Sequence, residues 1–252
     1  MERACVFVDG ENLRHALVEL LTPLGFSAAE YLPHNAKWGD FFDWIVVKAT
    51  GAQCKRLRAY WFVTEGVDCY PFGFGELLNP ANQAQLQELL SQHKPYKTAL
   101  NGLVNPQLAA KLKEQVDELK KEQAIFEKRF NGWHTVQDGI SRKHHAVEFR
   151  RAGNISYRLF DKKLGKEKAV DVRLACDAIV LKKIYETAII VSGDQDYVPA
   201  ARILKDAGKT VINVAFEKPD GKLLPGGARR LNIITDSSLN VPFADLRAFM
   251  GY

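Results

Sequence analysis

Residues 188–216 have the sequence AIIVSGDQDYVPAARILKDAGKTVINVAF, and this stretch decides the fold. The apolar run at 187–191 is typical of a buried strand, and helical spacing follows at 197–207. A second apolar run, at 210–215, indicates another strand. A strand, a helix and a second strand in this order predict part of a parallel sheet.

Strands and helices alternate through much of the remaining chain. The other predicted strands are 4–8, 57–63 and 232–235, and the other predicted helices include one through Leu13, Leu17, Leu20 and Leu21, with further helices at 39–50, 172–184, 225–231 and 243–249. This alternation predicts an α/β fold whose central, mainly parallel sheet is covered by helices on both faces.

The middle of the chain breaks this alternation. A chain of 252 residues is long for one domain, and we interpret residues 64–150 as an insertion into a single domain of residues 1–252. The elements predicted there are helices 82–92 and 106–130 and a β-hairpin of strands 145–149 and 154–160. Apolar residues recur every seven positions in the 106–130 helix, which favours a helical hairpin within the chain and leaves open a homodimer through this helix.

The composition places the protein among compact, water-soluble chains. Hydrophobic residues make up 46% of the sequence, and no apolar run is long enough to cross a bilayer. The first residues do not resemble a signal peptide, so we expect a cytoplasmic protein without membrane association. The cysteines are far apart and do not form a C-x-x-C pair, so we expect reduced thiols.

Positive charge is concentrated in one segment. The formal net charge is +5, and residues 142–168 contain nine Lys or Arg against three acids. Such a basic segment is expected of a protein that binds a polyanion. A solvated, lysine-rich hairpin is an equally good interpretation of the charge alone.

Acidic residues stand at the predicted ends of strands and starts of helices. They are Asp9, Asp171, Asp194 and Asp196. Ligands of open parallel sheets bind beyond the carboxyl ends of the strands, where these side chains would meet. Two like charges about 4 Å apart repel by about 4 kcal/mol at an effective dielectric near 20, so such a cluster requires a cation. Mg²⁺ or Mn²⁺ is the natural choice because both prefer carboxylate oxygens and water.

Each aspartate also has a structural interpretation, because Asp commonly caps the start of a helix. We expect Asp194 to be the better direct ligand and Asp196 to serve equally well as a cap. Asn12 could hold a bound water or a phosphate oxygen, and Ser192 could bind a phosphate or one of the aspartates. Asp177 is expected behind the site or in an ion pair.

Three segments carry a resemblance to a known family. These are VFVDGENL at 6–13, EKAVDVRLACDA at 167–178 and the stretch from Ile189 to Phe216. Together they resemble the NYN domain, the LabA-like branch of the PIN-like nucleases. The sequence has Ala169 where glycine is common and Tyr197 where phenylalanine is common, and neither change removes a carboxylate.

The resemblance implies a three-layer, Rossmann-like PIN-type fold and a metal-dependent endoribonuclease activity. It puts the four aspartates at the positions of the family's acidic residues and Asn12 at that of its asparagine. The candidates for contact with single-stranded RNA lie in the basic segment, and they are Arg158, Lys162, Lys163, Lys166 and Lys168. Tyr157, Phe149 and Trp133 are candidate stacking surfaces for bases, although core packing would also explain them.

Two other functions compete with the nuclease. One is an RNA-binding or regulatory module that keeps the fold without turnover, which predicts salt-sensitive binding and no products. The other is a phosphohydrolase with an aspartyl nucleophile. This would need a second aspartate two residues after Asp9, and that position is Glu11.

Overall fold

The computed structural model describes residues 1–27, 29–70, 82–224 and 229–252. The chain divides into two compact units. The first unit comprises residues 1–65, 133–153 and 168–252, and the second comprises residues 66–132 and 154–167. The predicted insertion at 64–150 overlaps both units.

Strands and helices alternate over most of the described chain. The strands are β1 (Glu2–Asp9), β2 (Cys54–Tyr70), β3 (Val147–Arg158), β4 (Lys163–Lys168), β5 (Thr187–Val191), β6 (Thr210–Phe216) and β7 (Ser237–Val241). The helices are α1 (Gly10–Leu21), α2 (Trp38–Thr50), α3 (Gln83–Ser91), α4 (Lys94–Leu100), α5 (Gln107–Lys143), α6 (Val170–Val180), α7 (Val198–Asp206), α8 (Arg229–Ile234) and α9 (Phe243–Met250). Among the helices of the described ranges, none has the length and apolar character to span a membrane.

The strands form a mainly parallel sheet in the order β4-β3-β2-β1-β5-β6-β7. The pairs β1–β2, β1–β5, β5–β6 and β6–β7 are all parallel. Near the start of β3, the Ala59 N–H of β2 donates to the Ala146 carbonyl, and just after its end the Leu159 N–H donates to the Tyr70 carbonyl of β2. Residue numbers therefore increase in the same direction along both strands, so β2 and β3 are parallel too. β3 and β4 are joined by four residues, which only an antiparallel pair permits.

Helices cover both faces of the sheet. Val6 and Val8 of β1 face a core formed with α1, α2 and α9, whereas Cys5 and Phe7 face a core formed with α6, α7 and α8. This alternation along one strand produces the three layers, because successive side chains point to opposite faces. The predicted α/β fold with a central parallel sheet is confirmed.

The turn from β1 into α1 requires a glycine. A Cβ atom added to Gly10 would lie 2.3 Å from the Phe62 carbonyl oxygen of the neighbouring strand. This close approach lets α1 begin directly at the carboxyl end of β1. It fixes Asp9, the last residue of the strand, at the carboxyl end of β1, where the parallel strands of the sheet end.

Two predicted elements of the middle segment were wrong in extent. The long helix continues from 130 to Lys143, because buried side chains such as Trp133 and Ile140 offset the cost of Gly132 and Gly139. The predicted hairpin turn at Gly153 lies instead inside the single strand β3. Gly153 has a φ of 61°, and an added Cβ atom would meet the Lys168 carbonyl at 1.8 Å, so the glycine serves a close backbone approach.

The helix predicted at 225–231 is confirmed for residues 229–231, but the strand predicted at 232–235 was wrong. Helix α8 continues to Ile234, Thr235 lies in a bend, and strand β7 begins at Ser237. Short apolar runs do not distinguish a strand from a helix, and here Leu231 is buried in the core that α8 shares with α6 and α7. Residues 225–228 of the predicted 225–231 helix lie outside the described residues.

The seam of the long helix is covered within the chain. Its seven-residue repeat consists of Leu112, Val116, Leu119, Phe126 and Phe130, and all of them are buried. In the second unit, Phe126 stacks on Tyr157 with ring centroids 3.7 Å apart. These side chains are therefore not available to a second copy of the chain in this conformation.

Candidate active site

Asp9 occupies the carboxyl end of β1 and caps helix α1. Its Oδ1 accepts the Asn12 backbone N–H at 3.0 Å, and its Oδ2 accepts the Ser192 hydroxyl at 2.8 Å. The Tyr197 hydroxyl lies 3.3 Å from the same Oδ2. Asp9 is thus a buried carboxylate, only 3% exposed, whose two oxygens are both held by hydrogen bonds.

Burial raises the pKa of Asp9 to about 6. The bonds from Asn12 and Ser192 favour the charged form and oppose this rise, whereas the negative charges of Asp171 and Asp194 add to it. The carboxylate is therefore mainly ionised at pH 7, at a position where a nearby positive charge would be favourable.

Tyr197 links Asp9 to Asp171. Its hydroxyl donates to Asp171 Oδ1 at 2.6 Å, and its side chain is fully buried. Burial and the neighbouring charges of Asp9 and Asp171 raise the pKa of Tyr197 far above its usual value, so the hydroxyl keeps its proton. Sequence reasoning treated this tyrosine only as a departure from phenylalanine and missed its contact with two acids.

Asp171 lies in the first turn of α6, directly after an unusual backbone position. Ala169, which precedes the helix, has a φ of 75° in the left-handed region. This conformation costs a non-glycine residue roughly 1–2 kcal/mol. It explains why glycine suits position 169, and it turns the chain so that Asp171 meets the Tyr197 hydroxyl.

Asp194 and Asp196 follow β5 at the start of a 3₁₀ turn. Asp194 Oδ1 accepts the Asp196 backbone N–H at 2.9 Å, and the Asp194 N–H donates to Ser192 Oγ at 3.0 Å. The capping residue is therefore Asp194, and the interpretation of Asp196 as the cap was wrong. Asp196 is exposed to solvent.

The carboxylates approach one another closely enough to share a cation. One oxygen each of Asp171, Asp194 and Asp196 lies within 4.8 Å of the others, and Asp9 and Asp171 also have oxygens within 4.8 Å. At that distance two like charges repel by roughly 3 kcal/mol at an effective dielectric of about 20. In the described part of the chain, no lysine or arginine forms an ion pair with these four aspartates. An all-oxygen donor set of this kind fits a hard divalent cation.

Comparison with known proteins identifies the family. The sequence model of the NYN domain matches residues 101–224, about half of the chain. The chain carries an NYN domain. The matched range includes Asp171, Asp194 and Asp196, whereas Asp9 and Asn12 precede it and join the acidic group through the fold.

Comparisons with solved structures and with curated proteins do not indicate a function for the NYN domain protein. A crystal structure of a protein of unknown function from Vibrio parahaemolyticus is 14% identical, with a TM-score of 0.42 over 95% of this chain and 93% of that one. This likeness is too low to support an argument about function. No curated protein matches the chain.

Asn12 and Ser192 hold the Asp9 carboxylate and the loop after β5 in the acidic site of the NYN domain. Asn12 Oδ1 accepts the Gly193 N–H at 3.2 Å and so connects α1 to the loop after β5. Ser192 bonds to Asp9, one of the two partners that the sequence suggested for it. Both residues therefore fix the geometry around Asp9.

Asp177 is not part of the acidic group in the NYN domain. It is buried on α6, where it pairs with Arg150 and, at 3.0 Å, with Arg173. The Arg150 guanidinium also lies over the Tyr60 ring, 4.2 Å from its centroid. Of the two predicted roles for Asp177, the ion pair is the one that the structure contains.

The basic residues proposed for RNA contact are exposed. In the second unit, Arg158 pairs with Asp161 at 3.5 Å and Lys162 pairs with Glu122 at 2.8 Å. The other three candidates, Lys163, Lys166 and Lys168, are exposed as well. Exposed pairs of this kind contribute little to stability, so these side chains can change partner at low cost.

The three candidate stacking aromatics already stack on protein rings. Tyr157 is buried against Phe126, and its hydroxyl donates to Glu122 at 2.7 Å. Phe149 stacks on Trp61 and Trp133 stacks on Tyr31, with centroid distances of 4.7 and 5.0 Å. Of the two interpretations that the sequence allowed for these aromatics, core packing is the one that the structure contains.

Proposed function

We propose that this protein is a metal-dependent endoribonuclease, of the LabA-like, PIN-like type, that hydrolyses phosphodiester bonds of RNA. The observation that supports this most is the group of four carboxylates at the carboxyl ends of β1 and β5 and the start of α6. The NYN domain supports it independently, because the sequence resemblance implies a nuclease of this superfamily.

In this proposal Asp9, Asp171 and Asp194 hold Mg²⁺ or Mn²⁺. When bound, such an ion offsets the carboxylate charge and polarises the phosphate under attack. Asp196, which is exposed beside the other acids, accepts a hydrogen bond from the attacking water and takes its proton, or holds a second ion. Asn12 and Ser192 keep the Asp9 carboxylate and the loop after β5 in place.

The substrate in this proposal is single-stranded RNA. Arg158, Lys162, Lys163, Lys166 and Lys168 are exposed cations suited to phosphate contacts, and their segment continues directly into the turn before Asp171. A cytoplasmic location remains a prediction, and so does a homodimer through α5, which could not use the seam residues that are buried in this conformation.

The test is cleavage of a labelled single-stranded RNA with Mg²⁺ or Mn²⁺ and with EDTA. We expect cleavage only with the ion, and a loss of at least a hundredfold in Asp171→Asn and Asp194→Asn. Asp206→Asn is the matched control, because Asp206 is an exposed aspartate at the end of α7. Undiminished cleavage by both site variants would refute the proposal.

The alternative is a non-catalytic RNA-binding module with the same fold. It predicts RNA binding that weakens steeply with salt and yields no products with either ion. Both measurements on the same preparation therefore decide between the two functions.

A further inference from the structure

Helix α6 of the first unit has apolar residues on two opposite sides. The inner side is buried in the core that α6 shares with α7 and α8, and its apolar residues are Val170, Leu174 and Ala178. The outer side carries Val172, Cys176 and Val180, which follow one another at intervals of four residues. All three are exposed, Val172 by 66% and Val180 by 73%. Residues four apart lie on one side of a helix, so they form one outer stripe.

Such a stripe is unusual on a helix that faces solvent. A surface helix normally has polar residues opposite its buried side. Helix α7, which packs beside α6 on the same layer, follows this rule and exposes Arg202 and Asp206. A single exposed apolar side chain is common, but a row of them over two turns is typical of a surface that another molecule covers.

The outer stripe is complementary to itself. Cys176 lies at its middle, four residues from each valine. A two-fold axis through this position turns a second α6 end for end, which brings Val172 against the partner subunit's Val180 and places the two Cys176 side chains together. An interface with two-fold symmetry requires this property, because the same patch serves both copies. Small side chains at the middle let two helices approach to about 8 Å.

The two ends of the stripe differ in charge. The N-terminal end adjoins three carboxylates that do not form ion pairs within the described ranges, those of Asp171, Asp194 and Asp196. Just beyond the C-terminal end lie Lys182 and Lys183, which are not members of any ion pair in the described chain. Antiparallel packing therefore brings opposite charges together, whereas parallel packing would bring like charges together.

The spacing along the helix allows these charges to meet. A helix rises about 1.5 Å per residue, so Asp171 lies about 8 Å from Cys176 in one direction and Lys183 about 10 Å from it in the other. When the second copy is reversed, its Lys183 comes beside Asp171. The exposed Lys168 also lies at the N-terminal end, and its single charge reduces this attraction without cancelling that of three carboxylates.

We propose that the outer stripe of α6 is the interface between two copies of this chain, packed antiparallel about a two-fold axis at Cys176. Aliphatic side chains do not offer RNA the stacking rings or hydrogen bonds that it uses, which favours a protein as the occupant. The symmetry of the stripe and of its charges favours a second copy over a different protein. This inference is independent of the proposed nuclease activity, and the interface differs from the one predicted through α5.

The first experiment measures association by sedimentation velocity without RNA, in EDTA and a reducing agent, between about 1 and 300 µM protein. The wild type should form a dimer within this range. Val180→Glu should weaken the dimer at least about tenfold, because it places a carboxylate in each half of the apolar contact. Val47→Glu is the matched control and should dimerise like the wild type, since Val47 is a 48% exposed valine near the end of α2, in the opposite layer.

A charge reversal tests the antiparallel direction. Lys183→Glu should weaken the dimer at least about threefold at low salt, and this effect should shrink at about 0.5 M NaCl, where surface charges are screened. Lys183 is exposed, so the change should not disturb folding. A dimer that Lys183→Glu leaves unchanged or makes tighter would overturn the antiparallel arrangement.

Cys176 provides an independent test of the two-fold axis. It is the exposed cysteine of the chain, and Cys5, Cys54 and Cys69 are buried. Oxidation with copper phenanthroline should join wild-type dimers through a disulfide that Cys176→Ser abolishes. Val180→Glu keeps Cys176 exposed and should be joined at least about tenfold more slowly, because its copies associate at least about tenfold more weakly.

Three results would overturn the inference. They are a wild type that stays monomeric at every concentration, a dimer that Val180→Glu leaves intact, and equal rates of cross-linking in the wild type and Val180→Glu. Protection of Cys176 from alkylation by added RNA, but not by higher protein concentration, would assign the stripe to RNA instead.

Discussion

Tyr197 keeps two acids together, and its replacement by phenylalanine tests how the site tolerates their charge. The Tyr197→Phe change removes only the hydroxyl that donates to Asp171 at 2.6 Å and lies 3.3 Å from Asp9. The ring stays in its buried position, so the packing is preserved. The resemblance to NYN domains indicates that phenylalanine is compatible with this position.

The expected loss follows from the type of hydrogen bond. A bond to a charged acceptor contributes roughly 1.5–3 kcal/mol, and a protein of this size loses roughly 2–4 °C of melting temperature per kcal/mol. Without divalent ions, Tyr197→Phe should therefore melt about 3–12 °C below the wild type. With saturating Mn²⁺ the gap should narrow, because a cation then offsets the repulsion between Asp9 and Asp171 that the hydroxyl offset before.

The assay is thermal unfolding followed by circular dichroism at pH 7.5, in EDTA and in Mn²⁺. Tyr185→Phe is the matched control, since Tyr185 is equally buried and its hydroxyl donates to the neutral carbonyl of Ala178. The control should lose the same stability in both solutions. If Tyr197→Phe melts like the wild type in EDTA, or gains no more melting temperature from Mn²⁺ than the wild type does, the reasoning about the hydroxyl is wrong.

The remaining predictions concern pH and backbone packing. Because the pKa of Asp9 is raised from 3.8 to about 6 in the folded state, Asp9 itself should lower the stability of the protein in EDTA as the pH rises from about 4 to about 6, by up to about 3 kcal/mol. The free energy of unfolding in urea, measured as wild type minus Asp9→Asn, should therefore fall by this amount over the range, and a constant difference would contradict the raised pKa. Gly10→Ala should cost at least about 1–3 kcal/mol, since the added Cβ atom meets the Phe62 carbonyl at 2.3 Å. Gly132→Ala, on a helix with open space around it, should instead stabilise the protein by about 0.5–1 kcal/mol in the same urea experiment.

The sequence pattern predicted the sheet and most of its helices because each helix buries one apolar face, whereas the central strands are buried on both faces and form short continuous apolar runs. The turn predicted at Gly153 and the helix end predicted near Phe130 were wrong for a common reason. In both places the chain contains glycine, which local rules treat as a break, and packing against distant residues determines the outcome: Gly153 approaches the Lys168 backbone, and Trp133 of the long helix stacks on Tyr31. Local propensity is a weak guide when packing from elsewhere in the chain opposes it.

The acidic residues were predictable because they stand at strand ends, where a parallel sheet brings them together. Their hydrogen bonds were not predictable in the same way. The link from Tyr197 to Asp9 depends on the 3₁₀ turn that rotates Tyr197 into the interior, and its only signal in the sequence is an aromatic residue after SGDQD. The three candidate stacking aromatics show the reverse case. Their position beside basic residues suggested that they stack on RNA bases, whereas in the structure they stack on other aromatic side chains of the protein.

Helix capping and cation binding are compatible roles for these aspartates, although the sequence presents them as alternatives. Asp9 and Asp194 each use Oδ1 to accept a backbone N–H at the start of a helical turn. The second oxygen of each carboxylate then points in a direction fixed by the turn. A ligand held in this way loses little conformational freedom when an ion binds, which favours binding. The caps thus orient the carboxylates of Asp9 and Asp194. Because these two carboxylates lie close to Asp171 and Asp196, the orientation suits them to bind a shared cation.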